Sequence, residues 1–97
     1  MPITKEKQSI ENLAKKLQVV SDPNRLKILC YLFTEKKACV SDIAKNLSVS
    51  VATASYHLQA LDKEGLLEPK REGKKICYTV SKVDLMADLI KFICKHK

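Results

Sequence analysis

The chain has 97 residues, 45% of them hydrophobic and 30% charged, the balance of one small folded domain and not of a disordered tail. Eighteen Lys and Arg against 11 Asp and Glu leave a net charge of +7, a surface that attracts polyanions. With two glycines and two distant histidines, no phosphate-binding glycine loop, nucleophile–base pair or paired carboxylates can be assembled, which argues against an enzyme. The N-terminal Met1 to Lys7 has no signal-peptide core and the longest apolar run, Ile28 to Phe33, is too short to span a bilayer, so a cytoplasmic protein without membrane contact is expected.

Ile10, Leu13, Ala14 and Leu17 fall at helical spacing and predict a first helix that stops near Ser21-Asp22-Pro23. Asp22 can cap a second helix with Pro23 in its first turn, its stripe carrying Leu26, Leu29, Cys30 and Phe33 with Ile28 and Leu32 beside it. After the polar connector Thr34 to Lys37, Val40, Ile43, Ala44 and Leu47 predict a short third helix starting near Ser41. Ser50 can cap a fourth helix with Ala54, Leu58 and Leu61 inward, ended by Gly65. A short helix, a tight turn and a longer helix make a helix-turn-helix. Leu66 to Arg71 and Lys75 to Val80 flank Glu72-Gly73-Lys74 as a two-stranded hairpin, the wing. Met86, Leu89, Ile90 and Ile93 mark a fifth helix. The expected fold over residues 1–97 is therefore a winged helix-turn-helix, mainly α with a β-hairpin wing.

On the fourth helix Ala52, Ser55, Tyr56 and Gln59 lie opposite the apolar stripe, with Val51 and Thr53 in the first turn near them. Small and polar side chains there suit the major groove of double-stranded DNA, since a merely solvated face would carry Lys and Glu. Lys70, Arg71, Lys74 and Lys75 on the wing can follow the phosphate backbone and supply affinity without sequence choice. The rival is a winged helix used for protein contact, with Tyr56 the one anchor available. His57 sits beside the apolar face, where a structural hydrogen bond is its first role and a phosphate contact its second.

Four cysteines stand at 30, 39, 77 and 94 without a CxxC pair. Cys30 lies on an apolar stripe and reads first as a small core residue, whereas Cys94 has Lys91, Lys95 and Lys97 nearby, cations that favour a thiolate. Cys77, on a wing strand, reads as incidental.

The strings Asp22-Pro23-Asn24-Arg25-Leu26-Lys27-Ile28-Leu29, Val40-Ser41-Asp42-Ile43-Ala44, Ser55-Tyr56-His57-Leu58-Gln59-Ala60-Leu61 and Gly65-Leu66-Leu67, in this order, resemble the ArsR/SmtB family of repressors over almost the whole chain. The resemblance implies a homodimer joined through the first and last helices, two recognition helices in successive major grooves of an operator, and repression relieved by an inducer. Metal-sensing members often carry two cysteines around the residue before the Asp of the third helix; here Cys39 holds the first position, a candidate metal ligand, but Ser41 holds the second. The last helix offers Asp84, Asp88 and a single histidine, His96, short of a tetrahedral zinc set. The cysteine pattern is closer to the sulfide- and persulfide-responsive subgroup, which implies a thiol switch at Cys30 and Cys94 driven by reactive sulfur species. Arsenite or a soft metal held by Cys30, Cys39 or Cys94 is the alternative.

Overall fold

The computed structural model describes residues 2–81, 91–92 and 94–95. The division between the first two helices follows from Asp22 and Pro23. Helix α1 (Pro2–Val20) ends where Asp22 turns extended, with φ −75° and ψ 129°, and the Asp22 carboxylate accepts the Asn24 N–H at 3.0 Å. Pro23 then opens α2 (Pro23–Glu35) at a position whose N–H has no helical partner to lose. The chain leaves α2 through Lys36 at φ 69°, its N–H donating to the Leu32 carbonyl.

The sequence assigns no element to the two residues between the polar connector Thr34 to Lys37 and the third helix, but Ala38–Cys39 forms a strand, β1. Two residues are too few to show the alternation that marks a strand, and their pairing partner lies far along the chain. Helix α3 (Val40–Leu47) follows, starting one residue before Ser41 with Cys39 as its N-cap, and the Cys39 N–H donates to the Asp42 carboxylate at 3.3 Å. Ser48 takes the left-handed conformation, φ 57°, and closes α3 before Ser50 caps α4 (Val51–Lys63) by accepting the Thr53 N–H at 3.0 Å. Gly65 follows at φ 78°, a region that favours glycine.

Strands β2 (Leu67–Glu72) and β3 (Lys75–Val80) make the wing around Gly73, φ 63°. The expected wing had two strands; the sheet has three, in antiparallel order β1-β3-β2, with Cys39 opposite Cys77 and Glu72 opposite Lys75. Four helices, not five, have bounds among the described residues. The fifth, with Met86, Leu89, Ile90 and Ile93, falls largely outside them, as do Asp84, Asp88 and His96; Lys91, Phe92, Cys94 and Lys95 are helical.

Ile28, Leu29 and Leu32 of α2, Ile43 of α3, Leu58 and Leu61 of α4 and Leu66 are fully buried and tie the helices into one core. On α2 the centre of the buried face is Ile28, Leu29 and Leu32, while Leu26 and Phe33, expected on that stripe, are only partly covered. On α1 the stripe faces outward: Ile10, Leu13 and Leu17 are 66%, 43% and 42% exposed, apolar surface this protomer does not bury.

Candidate nucleic-acid interface and thiol sites

Helix α4 presents two faces because its apolar residues recur at helical spacing. Ala54, Leu58 and Leu61 point into the core, and the opposite face exposes Val51, Ala52, Thr53, Tyr56 and Gln59, with Ser55 half-buried. Tyr56 is the most open large side chain of that face at 64%. Gln59 Nε2 donates to Ser55 Oγ at 3.0 Å, a bond that does not use the acceptor capacity of the Gln59 carbonyl oxygen. The Ser50 hydroxyl donates to Thr53 Oγ1 at 2.9 Å, so Thr53 is partly engaged in the cap.

Lys70, Arg71, Lys74 and Lys75 are all exposed. They are not equivalent. Side chains alternate along a strand and directly opposed residues share a face, so Lys70, Glu72, Lys75 and Cys77 lie on one side of the hairpin and Arg71 with Ile76 on the other. Glu72 is bound by the Lys37 ammonium from outside the wing.

His57 takes the structural role expected of it. It is buried, and its Nδ1 accepts from Arg25 Nε at 3.1 Å, which places the ring proton on Nε2. The same guanidinium donates through Nη1 to the Val19 carbonyl at 3.3 Å and lies 5.7 Å from the centre of the Tyr56 ring. One side chain of α2 thus holds the end of α1, the inner face of α4 and the back of the outward Tyr56. Arg25→Ala is expected to lower stability by about 1–3 kcal/mol, the loss when a buried acceptor such as His57 Nδ1 is left unpartnered. Arg25→Lys should recover only part of it, since one ammonium cannot reproduce the fork. Thermal melts followed by circular dichroism check this; an unchanged midpoint in Arg25→Ala contradicts it.

The cysteines form two bonded pairs. Cys30 on α2 and Cys94 are joined with Cα atoms 5.4 Å apart, inside the usual disulfide range of about 4.4–6.8 Å. Cys30 is buried, and beside it a cleft of about 420 Å³ opens between α2 and α3, lined by Lys27, Cys30, Tyr31, Thr34, Asn46 and Leu47. Cys39 and Cys77 are joined across β1 and β3, Cα atoms 3.7 Å apart, so Cys77 is not incidental. Glu72 stands beside this pair, its Oε1 3.8 Å from the Cys77 sulfur. Next along β3, burial and then the Asp62 carboxylate push the Tyr78 phenol above its ordinary value.

Residues 22–68 match a family described as "Bacterial regulatory protein, arsR family". The HTH-type transcriptional regulator YgaV of Escherichia coli is 31% identical over 72 residues, 74% of this chain and 73% of that protein. The chain belongs to the arsR family. The cadmium resistance transcriptional regulatory protein CadC of Lactococcus lactis is 39% identical over 69 residues, covering 71% of this chain and 58% of that protein, so the chain spans less than two thirds of the cadmium regulators it matches. A solution structure of a homodimeric winged helix-turn-helix DNA-binding domain from Mycobacterium bovis has a TM-score of 0.77 at 25% identity, over 94% of this chain and 85% of that one.

The α4 face and the wing cations named from the sequence are solvent-facing, and Cys30 and Cys94, coupled by the family likeness, are bonded. Sequence reasoning passed over Arg25, whose signal is weak: a lone cation one helical turn behind an apolar stripe reads as solvated. It also separated Cys39 from Cys77, because their proximity depends on a strand too short to be read.

Proposed function

We propose that this chain is a DNA-binding transcriptional repressor that works as a homodimer and is released from its operator when Cys30 and Cys94 are oxidised. The observation that carries the reading is the Cys30–Cys94 bond within one protomer, which links α2 to the C-terminal helical residues. The exposed stripe of α1 and the 60% exposed Phe92 near Cys94 supply apolar surface for a second copy, and a homodimeric relative of the same fold supports that arrangement. In the dimer α4 enters the major groove with Val51, Ala52, Thr53, Ser55, Tyr56 and Gln59, while Lys70, Arg71, Lys74 and Lys75 meet phosphates.

With an organic persulfide as oxidant, two protein thiols and the persulfide give the Cys30–Cys94 disulfide, the parent organic thiol and hydrogen sulfide. The protein sulfurs lose two electrons, the persulfide S–S bond takes them, and the two thiol protons leave with the products. Through the cleft beside Cys30, which Lys27 also lines, the reagent reaches the thiol. Movement of α2 reaches α4 by the contact of Arg25 with His57 and Tyr56.

The test is fluorescence anisotropy of labelled DNA from upstream of the protein's own gene, with reduced and persulfide-treated protein. Reduced protein is expected to bind, and treatment to release wild type but not Cys94→Ser. Release of Cys94→Ser as well would overturn the switch. A second reading, in which Cys30 and Cys94 grip a soft metal or arsenite instead of bonding, is favoured by the cadmium regulators among the relatives. There, cadmium or arsenite and not the persulfide would release the DNA.

A further inference from the structure

Cys39, Glu72 and Cys77 come from three elements and meet on one face of the sheet. Pairing of β1 with β3 sets Cys39 opposite Cys77, and pairing of β2 with β3 sets Glu72 opposite Lys75, two residues from Cys77 and therefore on the same side. Their two sulfurs and the nearest carboxylate oxygen all lie within 4.8 Å of one another. The carboxylate is already aimed: Lys37 holds Oε2, and Oε1 faces the Cys77 sulfur. Cys77 closes the back of the group, fully buried, while Cys39 is half-buried and Glu72 exposed, so the front is open to solvent.

We propose that Cys39 and Cys77, when reduced, form with Glu72 a binding site for a soft divalent cation of the zinc or cadmium type, separate from the Cys30–Cys94 pair. Two molecules of a small cellular thiol reduce the Cys39–Cys77 bond and leave as their own disulfide, giving two protein thiols. The cation then displaces both thiol protons, since thiolate is the form that binds metal. Zinc–sulfur bonds of about 2.3 Å in tetrahedral geometry put two sulfurs roughly 3.8 Å apart. Side chains on residues whose Cα atoms are 3.7 Å apart reach that separation by turning about their Cα–Cβ bonds. Two thiolates and a carboxylate leave an excess negative charge over a divalent ion, and the Lys37 ammonium on Glu72 balances it. Soft sulfur donors select zinc or cadmium over magnesium or calcium. A bound ion would clamp the N-terminus of α3 to the wing, because Cys39 caps that helix and Glu72 precedes the wing turn.

The experiment uses the full chain carrying Cys30→Ser and Cys94→Ser, reduced with a phosphine under nitrogen and titrated with cadmium alone. Neither DNA nor the other dithiol enters the readout, so its failure and that of the redox switch are distinguishable. The expected result is ultraviolet thiolate-to-cadmium absorption that saturates at one ion per protomer. Adding Cys77→Ser should abolish it. Glu72→Gln, at an exposed position that leaves the core untouched, should weaken binding by at least the roughly tenfold seen when support to a metal ligand is lost, with the absorption retained at saturation. Absence of the absorption in the Cys30→Ser, Cys94→Ser protein overturns the site, and so does full affinity in Glu72→Gln.

Discussion

Leu58→Ala is expected to lower the stability of the reduced protein by about 2–5 kcal/mol, the range for truncating a buried leucine. Leu58 is fully buried on the inward face of α4, within the core that also holds Ile43, Leu61 and Leu66. Emptying its place removes the transfer free energy of the side chain and leaves a cavity that close-packed neighbours fill only in part. A domain of this size commonly has about 5–15 kcal/mol in total, and each kcal/mol shifts its melting midpoint by roughly 4–8 °C. A fall of at least about 8 °C is therefore expected, against a small change for Leu58→Met, which keeps most of the volume. Melting curves of the two variants at matched protein concentration check this, because a dimer's midpoint moves with concentration. If Leu58→Ala melts with the parent, the inward face of α4 is not where the core lies.

The same helix shows what sequence can and cannot convey. Its cap at Ser50, its buried Ala54, Leu58 and Leu61 and its end at Gly65 were all legible, because each depends on residues within a turn or two of one another. Asp22 and Pro23 were legible for the same reason. Strand β1 was not. Its two residues are held by β3, far along the chain, and such pairing leaves no periodic trace at Ala38 and Cys39. The reading of Cys77 as incidental descends from that omission: without β1, Cys77 has nothing to face. Arg25 is a different failure. Its three contacts, to Val19, His57 and Tyr56, converge from separate helices, and no spacing along α2 announces them. The Cys30–Cys94 pairing was suggested by family likeness and not by any spacing in the chain.

DNA affinity should depend steeply on salt, and the wing should supply a measurable share of that slope. Each phosphate contact by a cation contributes roughly 0.9 to the slope of log affinity against log salt, by release of condensed counterions. Lys74 lies in the exposed turn beside Gly73 and Lys75 opens β3 directly after it, and a homodimer carries two such turns. Lys74→Ala with Lys75→Ala should lower the slope by up to about 4 if all these cations touch phosphate. The loss should be uniform over DNA sequences. Gln59→Ala should behave in the opposite manner, since a side chain that reads a base edge is worth about 1–3 kcal/mol of discrimination and little slope. Tyr56→Ala removes the exposed ring backed by Arg25 and should weaken operator binding without lowering the melting midpoint much, because the ring is largely outside the core. Anisotropy titrations across salt, on an operator and on scrambled DNA of equal length, separate these effects. A protein-contact role for the α4 face predicts that Gln59→Ala and Tyr56→Ala change neither DNA sequence preference nor affinity, while the wing variants still lose slope from non-specific binding. Wing variants that lose slope on both DNAs, beside a Gln59→Ala that loses preference on one, would assign phosphate positioning to the hairpin and base reading to the helix.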